Sequence, residues 1–221
     1  MKRVVMKRLA LASTAAALLC GALTACVPLV IGGAAAGGSL VATDRRTSGT
    51  QLEDEGIELR ASSRLRTNLG DRAHVNLTSY NRQVLLTGEV PTEQDKQLVE
   101  QIVSRVENVA SVVNELAVMG NSSLTQRSSD TLVTGRVKAM LIDAKDLFAN
   151  SFKVVTERGT VYLMGRVTQR EADRATTVVR STPGVQKVIR VLEIISEDEL
   201  ARMLPAPATP QPANTKPASA N

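Results

Sequence analysis

From Gln51 to Ile195 the apolar residues fall into a pattern that runs twice along the chain. Each run opens with apolar residues four apart: Ile57, Ala61 and Leu65 in the first, Val133, Val137 and Leu141 in the second. That spacing draws one apolar stripe down an α-helix. Two β-rich stretches follow, separated by Asn81-Arg82 in the first run and Arg158-Gly159 in the second, which are hairpin-turn signals. Pro91-Thr92-Glu93 and Thr168-Gln169-Arg170-Glu171 then start a second helix. Its apolar positions are Leu98, Ile102 and Val106 in one copy and Ala175, Val178 and Val179 in the other. Each run closes on an alternating segment, Val112, Asn114, Leu116 and Val118, then Val188, Arg190, Leu192 and Ile194, as the two-residue period of a strand requires.

The two runs superpose at a period of about 76 residues. Val84-Leu-Leu86-Thr-Gly88-Glu-Val90 matches Val161-Tyr-Leu163-Met-Gly165-Arg-Val167, and Val109-Ala-Ser-Val112 matches Val185-Gln-Lys-Val188. Because the whole order recurs, the chain is an internal duplication. The pattern predicts an α+β fold of two tandem modules. Each is αββαβ, a three-stranded mixed sheet covered on one face by two helices. At about 70 residues, each copy is small but long enough to fold alone.

The flanks read differently. Lys2, Arg3, Lys7 and Arg8 precede an apolar run from Leu9 to Leu19, and Leu23-Thr24-Ala25-Cys26 closes the segment. This is the pattern of a signal peptide ending in a lipobox. It predicts cleavage before Cys26, lipidation of that residue, including palmitate, and stable anchoring by several acyl chains. The alternative is an ordinary secretory signal with an incidental cysteine. Val27, rather than the aspartate that commonly retains bacterial lipoproteins at the inner membrane, points to the periplasmic face of the outer membrane. Cys20 leaves with the signal and Cys26 is acylated, so no thiol remains for a disulfide or a metal. Gly and Ala dominate Val27 to Ala42, which reads as a flexible tether; Gly33 and Gly37 leave open a small-residue membrane helix. After Leu204 the chain is mostly Pro, Ala, Thr and Asn, too polar to bury a core. The expected organisation is a signal peptide over 1–25, a tether over 26–50, modules over 51–119 and 129–196 joined by a linker over 120–128, and a disordered tail over 197–221.

Charge separates the modules. The formal net charge of +5 includes four basic residues of the signal peptide. Residues 51–120 carry seven basic and eleven acidic side chains, whereas residues 121–195 carry twelve basic and seven acidic. Different partners for the two modules follow.

The candidate binding surface lies on the helix from Thr131 to about Asp143. Val133, Val137, Met140 and Leu141 share the face expected to pack on the sheet. Leu132, Gly135, Ala139 and Ile142 fall on another face, apolar yet without a core to enter, flanked by Arg136 and Lys138, with Lys145 one turn on. An apolar stripe edged by cations suits an anionic lipid surface. The alternative is that Leu132 and Ile142 pack against the first module. Glu53, Asp54, Glu55 and Glu58 crowd the start of the first module's opening helix, where they favour the helix dipole and repel anionic lipid. That helix suits its sibling module or a protein partner.

Catalytic chemistry is absent from the pattern. His74, the only histidine, precedes a strand and reads as a solvated loop residue. There is no Cys/His pair, no multi-histidine metal set, no Walker loop and no GxGxxG. The expectation is no enzyme, no metal and no cofactor beyond the lipid on Cys26. An aromatic content of 2% and the export signal argue against nucleic acid.

The strand pairs ending in Val84-Leu-Leu-Thr-Gly88 and Val161-Tyr-Leu-Met-Gly165, with the Val-x-x-Val endings at Val109 and Val185, resemble the BON domain, a bacterial periplasmic module. The segments Ala42-Thr-Asp-Arg-Arg-Thr-Ser-Gly-Thr-Gln51 and Lys153-Val-Val-Thr-Glu-Arg-Gly159 extend the resemblance to outer-membrane lipoproteins with two BON domains. The resemblance implies a non-enzymatic protein that binds anionic phospholipid, phosphatidylglycerol or cardiolipin, through its second domain and maintains outer-membrane integrity. It also implies contact with the β-barrel assembly machinery, so a periplasmic scaffold or adaptor is the alternative function. In the family the lipid-facing positions lie on the second domain's opening helix, where Leu132 and Ile142 stand.

Overall fold

The computed structural model describes residues 44–203. Cys26, where lipidation is expected, the expected signal peptide and tether up to residue 43, and the tail from residue 204 lie outside them. The first module runs α1 (Ser48–Leu69), β1 (His74–Tyr80), β2 (Gln83–Val90), α2 (Glu93–Ser104), β3 (Ser111–Asn114) and β4 (Ala117–Val118). The second runs α3 (Leu124–Asp143), β5 (Lys153–Glu157), β6 (Thr160–Thr168), α4 (Gln169–Arg180) and β7 (Lys187–Ile195), then a short α5 (Glu197–Met203). The expected αββαβ order is present in both.

In each sheet a hairpin provides the antiparallel pair and the strand after the second helix adds in parallel beside the hairpin's second strand. In the first module that strand is interrupted: β3 and β4 keep one register against β2, but between them the Leu116 amide turns to the Asn114 side chain. Thr92 caps α2, and Thr168 caps α4 in a full capping box with Glu171, as the sequence signals predict. Val99 and Val103 are fully buried on α2, one position beyond the expected Leu98 and Ile102, which pack at the core's margin.

Each hairpin turns on two residues, both at positive φ: Asn81 and Arg82, then Arg158 and Gly159. Arginine in that conformation is disfavoured. A carboxylate offsets the cost in both copies. Asp54 on α1 accepts the backbone N–H groups of Asn81 and Arg82, each at 2.8 Å, and Asp130 on α3 accepts those of Arg158 and Gly159 at 2.8 and 2.9 Å. The opening helix is thus clamped to the hairpin by one buried aspartate per module. Gly88 is obligatory for a different reason: at φ +109 an added Cβ would stand 2.1 Å from the His74 carbonyl oxygen on the paired strand.

Three cores result. One lies under α1 and α2, around Ile57, Leu86 and Val99, and a second under α3 and α4, around Val137, Leu163 and Val179. The third joins the modules: Tyr80, Leu85, Tyr162, Met164 and Val191, the sheet positions that face away from the helices, bury one another. The two sheets therefore pack back to back. Asn76 to Glu157, Asn81 to Glu193, Arg158 to Glu89 and Lys153 to Glu58 add polar contacts across the junction.

Several boundaries differ from the sequence expectation. α1 starts at Ser48, capped by Thr47, so Glu53 to Glu58 lie beyond its first turn, and Asp54 and Glu58 serve the hairpin and the junction rather than the helix dipole. α3 starts at Leu124 behind the Ser123 cap, inside the segment expected to be linker. Residues 197–203, expected in the disordered tail, form α5, held by buried Leu200 and an Arg166–Glu199 ion pair. Met140, expected in the core, is exposed, because it sits 100° from Leu141 on the rim of the stripe.

Replacing Asp130 with alanine strands two backbone donors that its carboxylate now satisfies. We expect a loss of about 2–4 kcal/mol, read as a fall of roughly 5–15 °C in the thermal midpoint. Asp54→Ala should cost at least as much, since it also loses Ser79 and Arg46.

Candidate functional site

The sheet-to-sheet junction leaves α3 facing outward. Its core face is Val133, Val137 and Leu141; the opposite face carries Leu132 at 63% exposure and Ile142 at 67%, with Gly135 and Ala139 exposed between them. Arg136 and Lys138 are exposed on either side. All six positions are on one continuous helix surface, and neither Leu132 nor Ile142 belongs to a buried cluster of the described residues. The alternative in which these two pack against the first module is therefore not the arrangement seen, because the modules meet through their sheets. Leu124, on the same face two turns before Leu132, is 80% exposed and extends the stripe. Phe148, just past the helix, is also exposed. Neither was picked out by the helix pattern, since Leu124 lay in the expected linker and Phe148 in a loop.

Beside the C-terminal half of α3 is a cleft of about 670 Å³, lined by Asp44, Arg46, Tyr80, Lys138, Ile142 and Phe152, among others. Its wall includes the segment Asp44–Thr47, which precedes α1 and straps the two modules together. Arg45 forms a bidentate ion pair with Glu171 of α4, both contacts at 2.7 Å and both side chains buried, and also donates to the Arg166 carbonyl. Arg46 bonds Asp44 and Asp54 and lies 4.2 Å above the Tyr80 ring. Composition gave no hint of this strap, since the partners of Arg45 are over a hundred residues away.

The lone histidine is not a solvated loop residue. It begins β1, directly opposite Glu89 on β2, and its Nδ1 lies 2.9 Å from a Glu89 oxygen. Glu89 is fully buried and Glu157, from β5 of the other module, nearly so. Burial would raise the Glu89 carboxyl, but His74, the Ser122 amide and Arg158 outweigh it and hold the group low. Glu157 is pushed up, chiefly by burial; the Asn76 amide opposes the shift and the charges of Glu89 and Asp130 add to it.

The BON domain family model matches residues 53–120 and 129–196. The chain is 40% identical over 185 residues to the outer membrane lipoprotein DolP of Haemophilus influenzae, covering 81% of this chain and 95% of that protein. It is 33% identical over 154 residues to the 21 kDa hemolysin of Actinobacillus pleuropneumoniae, covering 69% and 79%. It is 26% identical over 159 residues to the osmotically-inducible protein Y of Escherichia coli, covering 68% and 77%.

The strap carries a pH signature. Burial would raise Asp54 and Glu171, yet the hydrogen bonds from Ser79, Arg82, Arg46 and Asn81 hold Asp54 below its usual range, as those from Arg45 and Thr168 hold Glu171. A carboxyl depressed in the folded state contributes stability that is present above its unfolded pKa and lost as pH falls through its folded one. The thermal midpoint should hold from pH 7 to about 5 and fall below about 4. Glu171→Gln should start from a lower midpoint at pH 7 and fall less steeply with acid, as calorimetry across that range would read.

Proposed function

The chain belongs to the BON domain family, with two copies in tandem, and from that premise we propose that it is a lipid-anchored protein of the outer membrane that binds anionic phospholipid through α3. Its role is to bind rather than to catalyse, and to maintain outer-membrane integrity from the periplasmic face. Phosphatidylglycerol and cardiolipin are the ligands of matching charge. The observation that carries this reading is the exposed stripe of Leu132, Gly135, Ala139 and Ile142 between Arg136 and Lys138. Apolar side chains enter the acyl boundary while the cations meet phosphate, each cation contributing on the order of 1 kcal/mol. The lipobox ending in Cys26 and the similarity to a protein named an outer membrane lipoprotein support the anchor. No helix among the described residues is long and apolar enough to cross a membrane.

The strap supports the same geometry. Asp44 lines one cleft with Lys138 and Ile142, so the chain leading back to Cys26 departs beside α3. Eighteen residues reach no further than about 65 Å. The acyl anchor and the α3 stripe then engage one bilayer, which raises the effective concentration of the stripe at the surface.

A second reading rests on α1, where Leu52 and Leu59 stand exposed two turns apart beside Glu55. An apolar pair with an acidic neighbour suits a protein surface better than an anionic bilayer. A scaffold or adaptor role toward an envelope complex such as the β-barrel assembly machinery would use this helix.

Sedimentation with vesicles tests the first reading on protein carrying Cys26→Ser. It should pellet with phosphatidylglycerol and not with phosphatidylcholine, and less so as salt rises. Leu132→Glu and Ile142→Glu should each weaken binding at least tenfold with unchanged circular dichroism. Normal binding by both variants would sink the assignment to α3. No binding by the parent, with a stoichiometric crosslink lost on Leu59→Glu, would favour the adaptor.

A further inference from the structure

At the junction, on the side away from the strap, three potential ligands converge. His74 and Glu89 come from paired strands of the first module, and Glu157 comes from the end of β5 in the second. One ring nitrogen and one oxygen from each carboxylate all lie within 4.8 Å of one another. We infer that His74, Glu89 and Glu157 form a site for a divalent transition-metal cation that links the two modules.

Charge and donor chemistry point the same way. Two carboxylates are buried here, and among the described residues the one permanently charged cation in contact with either is Arg158, whose Nη1 sits 3.3 Å from one Glu89 oxygen. The other Glu89 oxygen faces His74 and the Ser122 amide. Glu157 has a neutral partner, the Asn76 side-chain amide at 2.9 Å, and no ion pair among the described residues. At 8% exposure, its ionised form would be buried without a salt-bridge partner among the described residues. A cation between the two carboxylates supplies that charge.

One imidazole nitrogen and two carboxylate oxygens are donors that suit Zn²⁺ or a neighbouring first-row ion. Ca²⁺ wants six to eight oxygens, more than the site presents. Arg158 and the Ser122 amide become the outer contacts that orient Glu89. Access is open, because a cleft of about 260 Å³ bounded by His74, Asn76, Asp130 and Glu157 reaches the site and leaves room for water as a further ligand. Its opposite wall is the N-terminal half of α3, through Arg127, Thr131 and Thr134. Zn²⁺ bound here therefore tightens the junction directly behind the helix that carries the exposed stripe.

The test is calorimetric titration of the full chain with Zn²⁺ at pH 7, with the thermal midpoint measured at each ratio. One equivalent should bind and raise the midpoint. His74→Gln and Glu157→Gln should each weaken binding at least tenfold and abolish the rise. Glu157→Gln can keep the Asn76 hydrogen bond, so loss of metal there cannot be assigned to unfolding. Because the chain has one histidine, its imidazole ¹⁵N signals should shift with Zn²⁺. Binding that survives both substitutions lies elsewhere, at the thiols of Cys20 or Cys26 for example, and overturns the site. No binding at 100-fold excess overturns it too; if the midpoint then rises on acidification from pH 7 to 5, the missing charge is a proton.

Discussion

The back-to-back contact of the two sheets constrains everything else in the molecule. A three-stranded sheet with both helices on one face leaves its other face bare. Here that face is apolar in both copies, with Leu85 and Tyr80 in one and Tyr162, Met164 and Val191 in the other. Left open, such a face would be an association hazard. Each module covers the other's, and the helices consequently point outward on both sides. The exposed stripe of α3 is a result of this arrangement: because the sheets take the junction, Leu132 and Ile142 have no neighbouring core to enter.

Much of the fold was legible because its signals are local. The i, i+4 stripe of α1 and α3, the two-residue turns and the threonine caps at Thr92 and Thr168 each fit within a dozen residues, and each recurs in the duplicate. The candidate stripe was legible for the same reason, since it is a property of one helix. The strap was not, because Arg45 and Glu171 are 126 positions apart and nothing near either announces the other. The aspartate clamps escaped notice for a subtler reason. Asp54 and Asp130 occupy equivalent positions, but Asp54 had a ready explanation in the helix dipole, and neither residue's neighbours announce its contact with a turn 27 to 29 residues on. His74 was misread because its partner, Glu89, reaches it only through the strand register.

The strap's ion pairs bear on specificity more than on raw stability. Burying Arg45 and Glu171 costs desolvation that their bidentate contact roughly repays. Removing either partner, however, leaves the other buried and uncompensated, so the pair strongly disfavours any arrangement that separates the strap from α4. Arg46 does the same toward the first module through Asp54 and Tyr80. Two adjacent arginines thus tie one short segment to both modules.

The duplication also shows how one scaffold acquires two different ends. Tyr80 and Glu157 are the last residues of equivalent strands, and Arg166 and Glu89 occupy equivalent positions on the strands that follow. The junction brings these positions together crosswise. Burial and the charge of Asp44 raise the Tyr80 phenol, while the Arg166 backbone and the strap arginines oppose that shift; at the other end burial and Glu89 raise Glu157. One end therefore pairs an aromatic ring with cations drawn from the chain's own strap. The other sets two carboxylates side by side with a histidine and one guanidinium, that of Arg158, which contacts Glu89 alone of the two. Fold symmetry makes the ends geometrically alike, so the difference in charge is a difference in sequence alone. The end that has no strap is the end where positive charge is short.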